Sequence, residues 1–197
     1  RALYSEDTLD GNIAIGYKAL AVQDGGSGNT AVGYQAGDAI STGDDNTLIG
    51  SAAGSDMTTG SNNTILGRLA TASAVDVSNE ITLGNSSISA LRCQVTLISS
   101  LSDKRDKKDI KDSIYGLDFV DSLKPVTFEW DQRDGNRKGL KDVGFIAQDL
   151  QEVDNEYTRL GESSNPEKLQ ATYSRLIPIM AKAIQELSAE VKKLKNK

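Results

Sequence analysis

Five glycines, Gly16, Gly33, Gly50, Gly67 and Gly84, fall at an unbroken spacing of 17 residues, each closing a short run: NIAIG, NTAVG, NTLIG, NTILG and EITLG. A strict period of this length marks a chain that makes one small structural unit per repeat and stacks the units. Within each unit a short β-type run (Ile13 and Ile15; Ala31 with its neighbours; Leu48; Ile65) leads into the glycine. A loop rich in Ser, Thr, Gly, Asn and Asp follows. One such coil has too little apolar surface to stand alone, so the coils must stack, or several chains must wind together. Tyr17 and Tyr34 are the only aromatics in the repeats, which leaves a core of Ala, Val, Ile and Leu in close layers. The repeated glycine is expected where the backbone needs an angle or an approach that a Cβ would block. Asn12, Asn29, Asn46 and Asn63 recur with the same period and are read as ladder or turn residues rather than ligands.

Past Gly84 the period stops. In SSISALRCQVTLISSLS, Leu91, Cys93, Val95 and Leu97 alternate with polar residues, which predicts a strand within 85–101 with Cys93 as a small buried hydrophobe. Composition then changes at Ser102. Residues 1–101 hold 4 Lys/Arg against 10 Asp/Glu and 13 of the 18 glycines, whereas residues 102–197 hold 18 charges of each sign, all three prolines, all three phenylalanines and Trp130. Two kinds of structure are therefore expected, a repeat-built part (1–101, its repeats at about 11–84) and a mixed part (102–197).

In the mixed part, SIYGLDFVDSL places Ile114, Leu117, Val120 and Leu123 at helical spacing and is stopped by Pro125. VTFEW reads as a strand, DQRDGNRKG as its turn, and DVGFIAQDLQEV as a strand edge running into a short helix. The last segment, about 174–195, is a heptad helix with Ile177, Ile184 and Val191 at a and Met180, Leu187 and Leu194 at d. Pro178 belongs in its first turn, where its missing N–H costs little. Glu190 and Lys195 fall at g and the following e, the positions that pair across a parallel coiled coil. The seam predicts self-association; packing of one amphipathic helix on its own domain is the other reading. β-branched residues at a with Leu at d favour two strands, and the repeats favour three.

Composition excludes several chemistries. With no histidine and one cysteine, the chain can form neither an internal disulfide, nor a zinc cluster of the usual ligands, nor a Ser–His pair, and no metal or other cofactor is expected. No apolar run approaches the roughly 20 residues of a membrane helix, so no membrane insertion is expected. The lysine-rich run after Ser102 is interleaved with Asp103, Asp106, Asp109 and Asp112, which leaves no strong basic field for nucleic acid. The chain opens at Arg1 and is expected to continue upstream.

That run, LSDKRDKKDI, places a serine directly before mixed charge. On composition alone Ser102 is a helix N-cap. A serine hydroxyl becomes a nucleophile only when a base takes its proton, and without histidine the base would be a lysine freed of its charge by burial or nearby cations; Lys104, Lys107 and Lys108 are all at hand.

Two resemblances carry the reading further. GNTAVGYQAG, over residues 11–84, resembles the head repeats of trimeric autotransporter adhesins and of phage fibre proteins. This implies an all-β trimeric shaft, either a β-solenoid or an intertwined β-prism, with a host cell-surface receptor or glycan as a further partner. SDKRDKKDI fits Ser-Asp-x-Arg-x-Lys-x-x-Ile and, with LKPVTFEW, GFIAQDLQEV and LIPIMAKAIQEL following in order, resembles the self-processing C-terminal intramolecular chaperone of phage endosialidases and tail fibres over residues 102–197. The resemblance implies an α+β chaperone domain ending in a coiled-coil helix, with a trimer seam along Ile177, Met180, Ile184, Leu187, Val191 and Leu194. It makes Ser102 the nucleophile, Lys107 its general base, Leu101–Ser102 the bond cut, Asp103 and Arg105 orienting groups and Ile110 a packing residue. It implies a shaft in the virion tail and a chaperone that acts in the host cytoplasm during assembly. The competing expectation is a trimerisation tip that never cuts itself.

Overall fold

A computed structural model describes residues 2–3, 11–94, 102–133, 135, 137–161 and 169–196. The chain forms two compact units, one of Arg1–Ala90 with Gln132–Arg137 and Ser164–Lys168, the other of Leu91–Asp131, Lys138–Ser163 and Leu169–Lys197.

The first unit is a solenoid. Five strands of three residues, β1 (Ile13–Ile15), β2 (Thr30–Val32), β3 (Thr47–Ile49), β4 (Thr64–Leu66) and β5 (Ile81–Leu83), pair in sequence order as one parallel sheet. Every residue pairs with the one 17 positions on, as in Ala31 with Leu48 and Leu48 with Ile65. Because the pairing lies within one chain, the shaft is a β-solenoid and not an intertwined prism.

The glycine column explains the period. Gly16, Gly33, Gly50 and Gly67 have φ between +123° and +142°, a left-handed region costly for any residue with a Cβ. Each also lies against the next coil: a Cβ on Gly50 would sit 2.6 Å from the carbonyl carbon of Gly67. A second column, Gly26, Gly43 and Gly60, is closed in the same way by the carbonyl of the residue 17 positions on. Sequence reading did not single it out.

Beside that second column runs the asparagine ladder. Asn29, Asn46 and Asn63 are buried. The Oδ1 atoms of Asn12, Asn29 and Asn46 accept the backbone N–H of the next asparagine at 2.8–3.0 Å. The Nδ2 groups of Asn12, Asn29 and Asn46 donate to the carbonyls of Gly26, Gly43 and Gly60 at 2.7–2.9 Å. Each buried amide is thus satisfied, and each ties its coil to the next. At Glu80 the ladder stops: its N–H reaches Asn63 Oδ1, but its carboxylate turns to accept from Ser73 N–H and Thr82 Oγ1.

The central residue of each strand points inward, so Ala31, Leu48 and Ile65 are fully buried with Leu20, Ile40 and Met57. The flanking residues point out. Ile13 and Ile15, which sequence reading placed with Leu48 and Ile65, lie on the opposite face at 52% and 60% exposure, because Ala14 takes the inward position. After Gly84 no strand follows among the described residues up to Gln94, and Cys93 is exposed rather than buried. Without a further coil in register, the alternation of Leu91 and Cys93 has no sheet to join. Val95 and Leu97 lie outside the described residues.

The second unit is α+β. Helix α1 (Leu117–Ser122) is followed by an antiparallel hairpin of β6 (Val126–Glu129) and β7 (Lys141–Gly144), helix α2 (Ala147–Val153) and the long helix α3 (Leu176–Lys195), which a 3-10 turn at Tyr173–Arg175 precedes. Pro178 sits in the first turn of α3, as its chemistry requires. Helix α1 starts later than its apolar spacing predicts, since Gly116 caps it and leaves Ile114 outside at 85% exposure. The core is small: Leu150, Leu160, Leu176 and Ile179 are buried, with Tyr115, Phe119, Val120, Leu123 and Phe145 packed on them. Burial pushes the Asp154 carboxyl up, but hydrogen bonds from Thr158 Oγ1 and from the backbone of Gly161, Leu160 and Asn155 outweigh it and hold the group below its usual range. The chain around Leu160 is pinned by that carboxylate.

Helix α3 grips α1 through one carboxylate. The free Leu117 N–H at the start of α1 donates to Glu186 Oε2 at 2.7 Å. A Cβ at position 116 would lie 2.6 Å from the Glu186 carboxyl carbon, so glycine makes room for the clasp. The Leu117 N–H, with Lys182 adding to it, holds the Glu186 carboxyl below its usual range against the opposing effect of burial.

Three outcomes follow. Gln23 fills the core column of Ile40 and Met57, yet neither its Oε1 nor its Nε2 has a hydrogen-bond partner among the described residues. Gln23→Met should stabilise the solenoid by about 1–3 kcal/mol in urea unfolding followed by far-UV circular dichroism. In the same measurement Gly50→Ala should lose at least about 2 kcal/mol, from strain at its φ and from the close approach of Gly67. The Glu186 contribution is fully present above the carboxyl's value in the unfolded chain and fades as the pH falls through its lower folded value. Acid unfolding followed by Trp130 fluorescence should therefore show a destabilisation below the ordinary glutamate range that Glu186→Gln makes shallower.

Candidate functional site

Residues 102–107 form one tight reversal of the chain. Lys104–Asp106 make a 3-10 turn, and Asp103, in extended conformation, caps it by accepting the Arg105 N–H at 2.8 Å. The cap belongs to Asp103 and not to Ser102, as composition alone suggested. An N-cap oxygen must meet an N–H two or three residues on, and the aspartate side chain does so here. The same carboxylate holds the Arg105 guanidinium, with Nε 3.1 Å from both oxygens and Nη2 2.7 Å from Oδ2. The Arg105 side chain, and then its backbone N–H, keep the Asp103 carboxyl below the usual range. Asp103 and Arg105 thus set the shape of the turn.

That shape decides where Lys107 goes. Its N–H closes the turn on the Lys104 carbonyl at 3.2 Å, and its side chain folds back over Ser102. Lys107 Nζ stands 2.5 Å from Ser102 Oγ and 3.4 Å from the Ser102 carbonyl oxygen. Of the lysines the run offers, the structure brings Lys107 to the serine. The hydroxyl and the amine thus stand within hydrogen-bond distance of each other.

Both side chains are exposed. Exposure sets a condition on any chemistry here, since a lysine accepts a proton only as the neutral amine, a form that removal from water favours. Leu101, on the other side of the predicted cut, lies outside the described residues. Ile110 is 58% exposed and is not packed as expected.

The other residues singled out from sequence lie along α3. That helix has two apolar faces. Leu176, Ile179 and Ala183 are buried in their own unit, while Ile177, Met180, Ile184, Leu187, Val191 and Leu194 are 40–69% exposed. Of the two readings of the helix, packing on its own unit thus uses a different set of residues from the seam. The second unit also holds a cleft of 450 Å³ lined by Tyr115, Tyr157, Arg175 and Pro178 among others; neither Ser102 nor Lys107 lines it. Sequence reading passed over this cleft because its walls come from segments far apart in the chain.

No curated protein and no solved structure gives a significant match to the chain. A protein-family model, Peptidase_S74, described as "Chaperone of endosialidase", matches residues 102–159. LKPVTFEW and GFIAQDLQEV fall within the match, and LIPIMAKAIQEL of α3 lies beyond it. The segment that opens at Ser102 is therefore similar to an endosialidase-type chaperone domain over residues 102–159, and it follows a β-solenoid shaft.

Proposed function

We propose that this chain is the C-terminal part of a phage tail fibre or tailspike, in which the domain from Ser102 trimerises, brings three shaft segments into register and then cuts itself free between Leu101 and Ser102. The observation that carries this reading is the contact of Lys107 Nζ with Ser102 Oγ at the residue where the family match begins.

The chemistry balances with residues of this chain and water. Neutral Lys107 takes the Ser102 hydroxyl proton as Oγ attacks the Leu101 carbonyl carbon through a five-membered ring. The Ser102 nitrogen leaves as a free amine with the proton returned, and the Leu101 acyl group passes to Oγ as an ester. Water then opens the ester, giving a Leu101 carboxylate and regenerating the serine. Asp103 and Arg105 act as positioning residues, through the turn that aims Lys107. Covering Lys107 from water would favour the neutral amine, and a partner chain could provide that cover.

Assembly gives the cut its purpose. Long-range β-structure shared among chains is slow to nucleate, because loop-closure entropy must be met before contacts form. A terminal domain that associates first holds the chains together while the shaft forms. Removing it afterwards leaves the shaft behind a kinetic barrier. The exposed seam of α3 and the small core of the second unit support self-association. In this reading the mature shaft resides in the virion tail, where a host receptor or glycan is its further partner, and the chaperone acts in the host cytoplasm.

Intact mass under denaturing conditions tests the proposal. The unaltered chain should split between Leu101 and Ser102, and the Ser102→Ala and Lys107→Ala chains should stay whole. Asp103→Ala should slow the cut by roughly tenfold to a hundredfold, the scale of a misplaced catalytic group. If the unaltered chain also stays whole and trimeric, the domain is a permanent clasp.

A further inference from the structure

Just past the glycine column, Tyr17 and Tyr34 stand one above the other on the outside of the solenoid. Their rings stack with centroids 5.4 Å apart and planes 18° from parallel. Each is more than half exposed, at 56% and 53%. The backbone beside them stays in register through the following coils: the N–H groups of Gln35, Ala52 and Leu69 donate to the carbonyls of Tyr17, Tyr34 and Ser51 at 2.8–2.9 Å. Residues 17, 34, 51 and 68 thus form one column, and the stack of rings ends in it at a serine. Neighbouring strands lie about 4.8 Å apart, so the exposed Arg68 stands two coils, about 10 Å, beyond Tyr34 with Ser51 between them. A serine side chain is too short to cover a phenol ring. What remains is a notch one ring thick, walled by the face of Tyr34, floored by Ser51 and bounded by Arg68. At the other end of the stack Lys18 Nζ sits over the Tyr17 ring, 5.9 Å from its centre, so that end already holds a cation.

We propose that this notch binds one uncharged hexopyranose ring, a proposal that rests on the glycan partner named in the reading above and gives it a site. A pyranose carries C–H groups on its face and hydroxyls around its edge. The C–H face, slightly positive, suits the negative face of the Tyr34 ring. The edge hydroxyls suit the Ser51 hydroxyl, which both donates and accepts, and the donor fork of Arg68. An aromatic ligand is the poorer match, since Ser51 and Arg68 make two of the three sides polar. Charge then selects among sugars. Residues 11–84 hold seven Asp/Glu against two Lys/Arg, Lys18 and Arg68, which leaves the repeats at net −5. That field opposes a polyanionic glycan and is indifferent to a neutral one. One ring in a shallow notch binds weakly, with a Kd on the order of 1–10 mM, and gains strength when several copies of the notch engage one glycan.

Saturation-transfer NMR of the full chain, with methyl β-galactoside and methyl β-glucoside as probes, tests this. Irradiating the protein should pass signal to the ring C–H protons of at least one of the two. Ser51→Tyr gives the third coil the residue its two predecessors carry; it should fill the notch and abolish the transfer while far-UV circular dichroism matches the parent. Tyr34→Ala should abolish it as well, and Arg68→Gln should weaken binding roughly fivefold, the scale of one hydrogen bond to a charged group. Tyr157→Ala, at an exposed tyrosine of the second unit, should leave the signal unchanged. An unaltered chain that passes no signal to either probe, a Ser51→Tyr chain that binds as the parent does, or transfer to methyl β-glucuronide in place of the neutral probes would each overturn the proposal. The Leu101–Ser102 cut is read separately by intact mass, so a chain that cuts itself and binds neither sugar leaves the fibre reading standing while this inference falls.

Discussion

Everything in the first unit depends on two backbones being able to touch once per turn of the coil. At Gly16, Gly33, Gly50 and Gly67 the chain takes a left-handed angle with the next coil lying where a Cβ would be. That approach lets strands of only three residues form a continuous sheet, and it brings the asparagine amides within reach of the coil above. Strands so short would have little stability in isolation. Repetition replaces length: each coil contributes one layer and one rung of sheet, three coils add a buried asparagine amide, and the five rungs share a single register.

The second unit works by a different principle, in which a few side chains hold short elements at fixed places. Asp103 shapes the turn that returns Lys107 to Ser102, and Glu186 caps α1 from the flank of α3. Both are carboxylates that accept from backbone N–H groups, and both are held below the usual range, Asp103 chiefly by the Arg105 side chain and Glu186 chiefly by the Leu117 N–H. With few buried residues among those described, the unit relies on such polar ties. The same economy leaves much of α3 apolar and open.

Legibility in the sequence followed the range of the interactions. The solenoid was readable because its contacts repeat at a fixed separation, so that Gly33 predicts Gly50 without any structure. The contact of Lys107 with Ser102 was within reach of sequence reading because a turn of six residues is local. What escaped were choices between faces and between distant partners. Ile13 and Ile15 look like core beside Leu48 and Ile65, and only the inward turn of Ala14 shows that they are not. Nothing in the sequence near Leu117 announces Glu186, which lies 69 residues away. Alternation at Leu91 and Cys93 suggested a strand, but an alternating run becomes a strand only where a neighbour offers hydrogen bonds, and the stack has ended by then.

A structure that repeats its neighbour relations every 17 residues responds unevenly to changes in length. Loss of one residue within a coil would bring its glycine one position out of line with that of the adjoining coil, setting side chains against backbone at that one step while the coils beyond it keep their spacing. Loss of a whole coil moves nothing except the distance between the ends, since the remaining coils meet as before. Such a shaft can therefore change length in evolution only in whole steps, and Glu80, whose side chain only accepts where the asparagines both accept and donate, marks where the ladder stops.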